Sequence, residues 1–141
     1  MTTYSVSQGS WSAMQALASP IRLEVFVLEQ GVPASIELDA NDENNWHFIV
    51  LNAQNTAIAT ARLNNQGKLG RMAVLKSHRR TGAGLLLVTS ICDHAKNQGM
   101  MSVTCHAQMD AAGFYERVGF IKIGSPFDEA GIQHIQMLKE L

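Results

Sequence analysis

Residues 79–84 read RRTGAG and are followed at once by the apolar run Leu85 to Val88. A glycine-rich turn at the start of a helix can bind an anion, because its backbone N–H groups converge, glycine leaves the approach open and the helix dipole favours negative charge. Arg79 and Arg80 add charge-assisted donors that suit phosphate. A plain strand-to-helix turn that needs glycine for its geometry would read the same, so this segment alone leaves both interpretations open.

Two well-known phosphate motifs do not fit this stretch. A Walker A loop requires G-x-x-x-x-G-K-[S/T], and Leu85 stands where the lysine would follow Gly84. The dinucleotide fingerprint G-x-G-x-x-G requires a third glycine at the position of Leu87. The sequence therefore disfavours nucleoside triphosphates and nicotinamide cofactors, while it still predicts a ligand that carries phosphate.

Two cysteines and three histidines are further candidates for metal binding, catalysis or phosphate binding. The spacing of Cys92 and Cys105 matches no zinc motif, so we predict two reduced, buried thiols and no metal site. We expect structural roles for His94 and His106. His78 lies beside the arginine pair, where it either approaches a phosphate or faces solvent.

The composition of the chain bounds the classes of function. With 141 residues, a hydrophobic fraction of 46% and a net charge of −1, we expect one domain spanning residues 1–141 and no nucleic-acid binding. No apolar stretch approaches the roughly 18 residues that cross a bilayer. The N-terminus MTTYSVSQGS shows no basic or apolar signal region. We therefore expect a cytoplasmic protein that does not insert into a membrane.

The elements before the glycine-rich turn can be predicted from periodicity and caps. The alternation in Thr2–Gln8 indicates an edge strand, and Ser10 is a candidate N-cap for a helix that ends at Pro20. A second helix would begin there, with Ser19 as its cap, and end near Gly31. Its inner face would consist of Ile21, Val25 and Leu28. An acidic loop would follow over residues 31–45, with Glu37, Asp39, Asp42 and Glu43.

The remaining elements predict a mixed sheet. The expected strands are Trp46–Leu51, Ala57–Leu63, Leu69–Leu75, Met101–Ala107, Phe120–Ile123 and His134–Leu138, the first three forming an antiparallel meander with a turn at residues 64–67. A helix should follow the glycine-rich turn and end at Gly99, and a short one should cover Met109–Val118. Strand, helix and strand in the middle imply a right-handed parallel crossover. The fold class is α/β or α+β.

Two motifs in this order resemble the GNAT family of N-acetyltransferases. Residues 79–84 fit its acetyl-CoA signature, R/Q-x-x-G-x-G/A, and residues 111–120, AAGFYERVGF, are similar to its second signature, A-x-x-F-Y-E-x-x-G-F. The N-terminal part resembles the ElaA/YjcF-like subgroup in residues 21–33, in E-x-D-x-x-D at residues 37–42, in His47 and in EAGIQH at residues 129–134. The resemblance implies a GNAT fold, with a mostly antiparallel sheet, a splayed parallel strand pair and flanking helices.

The resemblance also implies where acetyl-CoA binds. The pyrophosphate would lie on the backbone N–H groups of Arg79, Arg80, Thr81, Gly82, Ala83 and Gly84, with Thr81 at the helix N-cap. The pantetheine arm would lie along the preceding strand like an added strand, with Met72 and Val74 as backbone partners. A β-bulge would splay the strands apart, and an N–H of Met72 or Ala73 would polarise the thioester carbonyl. Gln108 stands where many relatives carry an Asn that faces the pantetheine arm.

The reaction implied by the resemblance is direct attack of a primary amine on the acetyl thioester. Tyr115 matches the family's tyrosine and is our candidate general acid for the leaving thiolate. The preceding strand lacks the Glu that many relatives use as a base. The candidates are therefore Glu29, Glu37, Asp39, His47 and His134, or a water chain.

Several alternatives stay open at this point. The acidic loop is either a solvated surface loop or an attractor for a cationic amine. The acceptor is a small-molecule or peptide amine of unidentified structure, and the chain is either a monomer or a homodimer. A non-catalytic acyl-CoA-binding or sensing module on the same fold, or an unrelated anion-binding or RNA-interacting domain, would have to be separated by experiment.

Overall fold

The computed structural model describes residues 3–141, which build one seven-stranded sheet in the order β1-β2-β3-β4-β5-β7-β6. The strands are β1 (Ser5–Gly9), β2 (Trp46–Leu51), β3 (Ala57–Leu63), β4 (Lys68–Val74), β5 (Ser102–Gln108), β6 (Ile121–Glu129) and β7 (Ile132–Glu140). The helices are α1 (Trp11–Arg22), a π-helical segment (Leu23–Glu29), α2 (Ala34–Glu37), α3 (Ala83–Asn97) and α4 (Ala112–Arg117). Short 3-10 turns cover Ala40–Asn44, Lys76–His78 and Met109–Ala111.

The sheet is mixed, as the sequence predicts, and its single parallel pair among residues 3–141 is β4 with β5. These two strands pair only at Lys68 with Thr104 and at Leu69 with Cys105. Every other neighbouring pair is antiparallel. Beyond Leu69 the parallel strands diverge, which leaves the inner edge of β4 without a strand partner.

A β-bulge in β4 accompanies this divergence and confirms the expectation from the sequence. The register between β3 and β4 shifts where Thr60 pairs with Ala73 and Arg62 pairs with Gly70. Arg71 is the extra residue and has a left-handed φ of +50°. Such a bulge bends the strand and increases its twist, so β4 turns away from β5.

Helices cover both faces of the sheet. Leu87 and Ile91 of α3 lie in the main core with Phe48 of β2, whereas Ile21 of α1 and Val25 of the π-helical segment form a second cluster with the β4 residue Ala73. No helix within residues 3–141 is long and apolar enough to span a membrane. The predicted sandwich of a sheet between helices is therefore present, and its two cores hold β4 from opposite sides.

The prediction that Pro20 separates two helices is wrong. Helix α1 runs through Pro20 and continues directly into the π-helical segment, so Ser19 caps nothing. Proline costs a helix one N–H donor and some strain, but Ala18 and Ile21 on the same helix are buried against the sheet and offset that loss. The cap at Ser10 is confirmed, because its Oγ accepts from the N–H of Ala13 at 3.3 Å.

Two other N-terminal expectations also need correction. Leu28 is 72% exposed and does not belong to the inner face, because the wider π turn rotates it outward. The acidic segment 31–45 is not a solvated loop. It contains α2 and a 3-10 turn, and both Glu37 and Asp42 are buried.

Several boundaries differ from the predictions by a few residues. The edge strand starts at Ser5, and Thr2 lies outside the described residues. The helix expected over Met109–Val118 consists of a 3-10 turn followed by α4. The C-terminal hairpin is longer than expected, since β6 and β7 each have nine residues. The longer hairpin brings residues 127–134 alongside the end of β5.

Candidate active site

A cleft of about 1610 Å³ opens where β4 and β5 diverge. On one side it is bounded by the glycine-rich turn and by Tyr115 of α4. On the other side it is bounded by the acidic segment and by the hairpin of β6 and β7. The two ends of the cleft thus differ in chemistry, and each is described in turn.

The glycine-rich turn presents a run of free backbone donors. Within residues 3–141, none of the backbone N–H groups of residues 80–85 meets a protein acceptor, while the helical ladder begins with the N–H of Leu86 bonded to the carbonyl of Gly82. Gly82 is the N-cap and has a φ of +92°, which an L-residue rarely adopts. A left-handed φ of +61° at Arg80 completes the curve of the backbone. The arrangement suits an anion such as a pyrophosphate.

Thr81 is not the helix cap, contrary to the expectation from the sequence. Its hydroxyl donates to the carbonyl of His78 at 2.6 Å and accepts from the Tyr4 hydroxyl at 2.9 Å. The Tyr4 oxygen also lies 3.1 Å from Nδ1 of His78. Contacts to the ring and to the main-chain carbonyl of His78 thus join His78, Thr81 and Tyr4, and they tie the turn to the start of the chain.

Arg79 differs from the expected phosphate ligand, because its guanidinium group is already engaged. Nη1 and Nη2 donate to the two carboxylate oxygens of Glu29 at 2.7 Å each, and Nε donates to the carbonyl of Val74 at 2.9 Å. The pair lowers the pKa of Glu29, chiefly through the hydrogen bond from Arg79. This makes Glu29 a weak base. The exposed Arg80 keeps its charge for a ligand of the turn.

The inner edge of β4 carries the backbone groups that face the cleft. The N–H of Leu75 bonds to the carbonyl of Ile58 in β3, so the backbone of Val74 points the opposite way, into the gap. Ala73 faces β3, where it pairs with Thr60. Its N–H is therefore directed away from the cleft, which leaves Met72 and Val74 as the residues whose backbone can meet a ligand there.

Tyr115 lines the same side of the cleft as the glycine-rich turn and is only 6% exposed. Its ring packs edge-on against Phe114 and Phe120, and its hydroxyl donates to Sδ of Met72 at 3.3 Å. Burial raises the pKa of Tyr115, because the phenolate would lose its hydration. The phenol therefore keeps its proton over the physiological pH range and directs it toward a sulfur atom.

Gly84 shows how closely the turn approaches these groups. A Cβ at this position would lie 3.4 Å from Cε of Met72 and 3.4 Å from Cζ of Phe114. A larger residue would thus press the start of α3 away from β4 and α4. Gly84 thus packs against Met72 and Phe114, the two residues that also contact Tyr115.

A histidine, a carboxylate and an aromatic ring form the opposite wall. Nδ1 of His134 lies 2.7 Å from the carbonyl of Ile132. Because a carbonyl oxygen can only accept, Nδ1 carries the hydrogen, and Nε2 of the neutral ring is free to take a proton. Glu129 lies 3.8 Å from that Nε2, and the ring of Phe127 stacks on His134. Among the five base candidates, His134 has the geometry of a base.

Glu129 also contacts a second histidine. Its Oε1 lies 2.9 Å from Nδ1 of His106, which in turn lies 3.4 Å from Nζ of Lys68. The subgroup resemblance at residues 129–134 pointed to Glu129 and His134, but no sequence pattern indicated that Lys68 of β4 and His106 of β5 would join them. His106 therefore lines the cleft, beyond the purely structural role that we expected.

The remaining base candidates are held in other roles. Arg62 bonds Asp39 through both oxygens and holds the pKa of that carboxyl at about 2, so Asp39 is a poor proton acceptor. Glu37 is buried in an ion pair with Arg22. His47 lies outside the cleft lining, where its Nε2 contacts the carbonyl of Asp42 and its ring packs against Trp11.

These pairs form a network of three arginines and three carboxylates, in which Arg22, Glu37 and Asp42 are buried and the other three are partly exposed. Arg22 bonds Asp42 at 2.8 Å and 3.1 Å, and Arg62 bonds both Asp42 and Asp39 at 2.8 Å. The third arginine, Arg71, bonds Asp39 at 3.1 Å. The expected negative potential of the acidic segment is therefore cancelled by basic partners, which also fix α2 and its 3-10 turn against β3 and β4.

Gln108 lies at the end of β5 and pairs with Gln30. The two side-chain amides exchange hydrogen bonds of 2.9 Å and 3.3 Å. Gln30 directly follows the π-helical segment, and sequence reasoning gave it no role. The pair links β5 to the N-terminal helices across the mouth of the cleft.

The described residues contain no cluster of metal ligands, and both of their cysteines are buried. Within residues 3–141, no group of three or more His, Cys, Asp or Glu side chains could hold a metal ion. Cys92 and Cys105 are buried and free, as the sequence predicts. Burial raises the pKa of Cys105 to about 12, so its thiol is not a nucleophile at physiological pH.

Comparison with known proteins agrees with the geometry. The profile of the acetyltransferase (GNAT) domain matches residues 11–141. YjcF of Bacillus subtilis, named as an uncharacterized N-acetyltransferase, is 35% identical over 85% of this chain and 88% of its own. The crystal structure of a Lactobacillus plantarum protein, provisionally named an N-acetyltransferase, superposes with a TM-score of 0.90 at 28% identity and covers 99% of both chains. Escherichia coli ElaA gives a TM-score of 0.84 at 24% identity, over 96% of this chain and 99% of its own.

Proposed function

This chain belongs to the GNAT family of acetyltransferases and is an acyltransferase, and on that premise we propose that it transfers the acetyl group of acetyl-CoA to a primary amine. The observation that carries the proposal is the free inner edge of β4. It runs between the unpaired N–H groups of the glycine-rich turn and the buried hydroxyl of Tyr115. A ligand with an anionic end and an extended thioester arm fits this sequence of groups.

The residues present fit acetyl-CoA at three points. The N–H groups of residues 80–85, helped by Arg80, would hold the pyrophosphate. The backbone groups of Met72 and the N–H of Val74 would pair with the pantetheine amides as an added strand would, while the Val74 carbonyl already accepts from Arg79. The amides of Gln108 and Gln30 lie across the gap and can reach the same arm.

Acetyl-CoA supplies a thioester carbonyl that a neutral amine attacks directly, the C–N bond forming as the C–S bond breaks. An N–H of Met72 or Val74 can polarise the carbonyl. The acceptor ammonium gives up two protons in all. His134 takes one at Nε2 and passes it to solvent, while Glu129 stabilises the charged ring. Tyr115, whose hydroxyl donates to Sδ of Met72 in the structure, would give its proton to the leaving sulfur and take the second proton of the amine in return.

The experiment is a thiol-release assay with acetyl-CoA and a broad panel of amines. We expect amine-dependent release of CoA together with an acetylated product of matching mass. A non-catalytic binding module would bind CoA and release no thiol with any amine. A protein that fails to bind CoA at all would contradict the placement of the pyrophosphate.

A further inference from the structure

The acidic segment and the hairpin of β6 and β7 bound the end of the cleft where the amine would bind. The pairing of charges at this end restricts which amine can bind. Both oxygens of Asp39 accept from arginines, and Glu37 and Asp42 pair with Arg22. These carboxylates therefore have little residual field with which to attract a polycation. The electric field that remains at this end comes from cationic side chains with N–H groups that bond no protein acceptor.

Arg71 is the cation that keeps unused donors facing the cleft. Its Nε donates to the carbonyl of Glu37 at 3.2 Å, and its Nη2 donates to the carbonyl of Ile36 at 3.2 Å and to Asp39 at 3.1 Å. Within residues 3–141, Nη1 has no acceptor, and Arg71 lines the cleft. The bulge that separates β4 from β5 carries this residue, so its backbone lies where the strands open, and its guanidinium group reaches across to the carbonyls of Ile36 and Glu37.

The surrounding contacts relate this donor to the proposed base. Lys68 lies on β4 with Arg71 and contacts His106. His106 contacts Glu129, which in turn lies beside Nε2 of His134. Cationic groups on β4 therefore line the same cleft as the imidazole and carboxylate of the hairpin. A ligand that bridges these walls needs an amine at one end and an anionic group at the other.

The anionic group is better matched by a carboxylate than by a phosphate. Asp39 lies within 3.1 Å of Nη2 of Arg71 and would repel a dianion more strongly than a monoanion. The two N–H bonds of Nη1 suit a single carboxylate group. We propose that the acceptor is an amine that also carries a carboxylate, bound by Nη1 of Arg71 with Lys68 in support. This inference rests on the proposed acetyl transfer.

The test compares free amino acids with their carboxamides, which keep the size of the acceptor and remove its charge. Turnover is measured for each pair with acetyl-CoA, and kcat/KM is expressed per concentration of neutral amine. We expect the best amino acid to exceed its carboxamide by roughly tenfold or more, the usual value of a charge-assisted hydrogen bond. In Arg71→Gln this ratio should fall close to one, and in Lys68→Gln, an exposed position, it should fall by a smaller factor.

Arg80→Gln is the matched control, because it removes an arginine from the opposite end of the cleft. It should raise the KM for acetyl-CoA and leave the ratio of amino acid to carboxamide unchanged. Since the ratio is taken within one variant, partial loss of folded Arg71→Gln protein does not affect it.

The outcomes separate this inference from the function on which it rests. If the unmodified protein acetylates amines but the ratio of amino acid to carboxamide is near one, the proposed recognition of a carboxylate is wrong. The proposed acetyl transfer is then unaffected. A high ratio that survives both Arg71→Gln and Lys68→Gln would overturn the assignment to these residues. No acetylation of any amine would remove the proposed function, and the carboxylate with it.

Discussion

Tyr115 presents an unusual pairing, a buried phenol whose hydroxyl donates to the thioether sulfur of Met72. We expect Tyr115→Phe to lower kcat by roughly a hundredfold, the size of effect that one positioned donor in an active site usually has. The KM for acetyl-CoA should change by less than about threefold, because the phosphate and pantetheine contacts do not involve the hydroxyl. Steady-state kinetics with a good acceptor measures both quantities. Unchanged turnover would remove Tyr115 from the mechanism.

His134 offers a different signature, since its proposed task is to deprotonate the acceptor. We expect His134→Gln to lose at least about tenfold in kcat/KM near pH 7. Much of this loss should be recovered at higher pH, where a lysine-like amine with a pKa of about 10.4 deprotonates without help. The measurement is a pH profile of kcat/KM for both proteins. A deficit of equal size at every pH would indicate that His134 only maintains the structure.

The glycine-rich turn can be tested through its backbone conformation. A Cβ at Gly82 would meet nothing within 4 Å, and the same holds for Gly99 at the other end of α3, yet both have positive φ values. Gly82→Ala and Gly99→Ala should therefore cost similar stability, about 1 kcal/mol each, from strain alone. Only Gly82→Ala should also raise the KM for acetyl-CoA, several-fold. Equal KM values in the two variants would place the pyrophosphate elsewhere.

The network of arginines and carboxylates gives a prediction for stability and its pH dependence. The pKa of Asp39 in the folded state, about 2, lies below its ordinary value of 3.8. Asp39 therefore stabilises the fold above about pH 4, and this contribution is lost as the pH falls toward 2. Arg62→Met removes one of the two arginine partners of Asp39 and of Asp42, while Arg71 and Arg22 remain, and should cost about 1.5–3 kcal/mol at neutral pH. Its stability should also depend less steeply on pH in that range.

Urea unfolding between pH 2 and pH 7 measures both effects. Lys122→Met is the control, because Lys122 contacts Glu116 only at 4.0 Å on the surface, and such pairs contribute about 0–1 kcal/mol. An Arg62→Met protein that is as stable as the control would show that the network is dispensable.

Features that depend on residues close together in the chain could be predicted from the sequence, whereas features that depend on distant residues could not. The strands β2 and β3, the helix α3 and the positive-φ glycines follow from alternation, periodicity and turn residues that are close in the chain. The continuous helix through Pro20 and the buried acids of residues 31–45 do not. Both depend on packing partners from distant elements, since Arg62 and Arg71 lie 20 to 35 residues from the groups they bond. The motif around Tyr115 could be recognised in the sequence. The contacts of His134 could not, because they form only when β6 and β7 pair as a hairpin.

The sheet as a unit is divided by the gap between β4 and β5, and a ligand that bridges it should stabilise the fold. At a CoA concentration of about 100 times its Kd, linkage predicts about 2.7 kcal/mol of added stability. For a chain of this size that corresponds to a rise in Tm of roughly 5–10 °C. Thermal unfolding with and without CoA measures it. Pantetheine, which has no phosphates, should give a smaller rise, and an equal rise would argue against the turn as the anion site.

The π-helical segment from Leu23 to Glu29 has a consequence for the length of the chain. Its wide turn, closed by the bond from the N–H of Gln30 to the carbonyl of Val25, contains one residue more than an α-helical turn would. Removal of a single residue here would restore the ordinary pitch and rotate everything that follows by about 100°. Glu29 would then leave Arg79, and Gln30 would leave Gln108. Relatives that lack this one-residue insertion should therefore shape the mouth of the cleft with different side chains, even where both sequence signatures are intact.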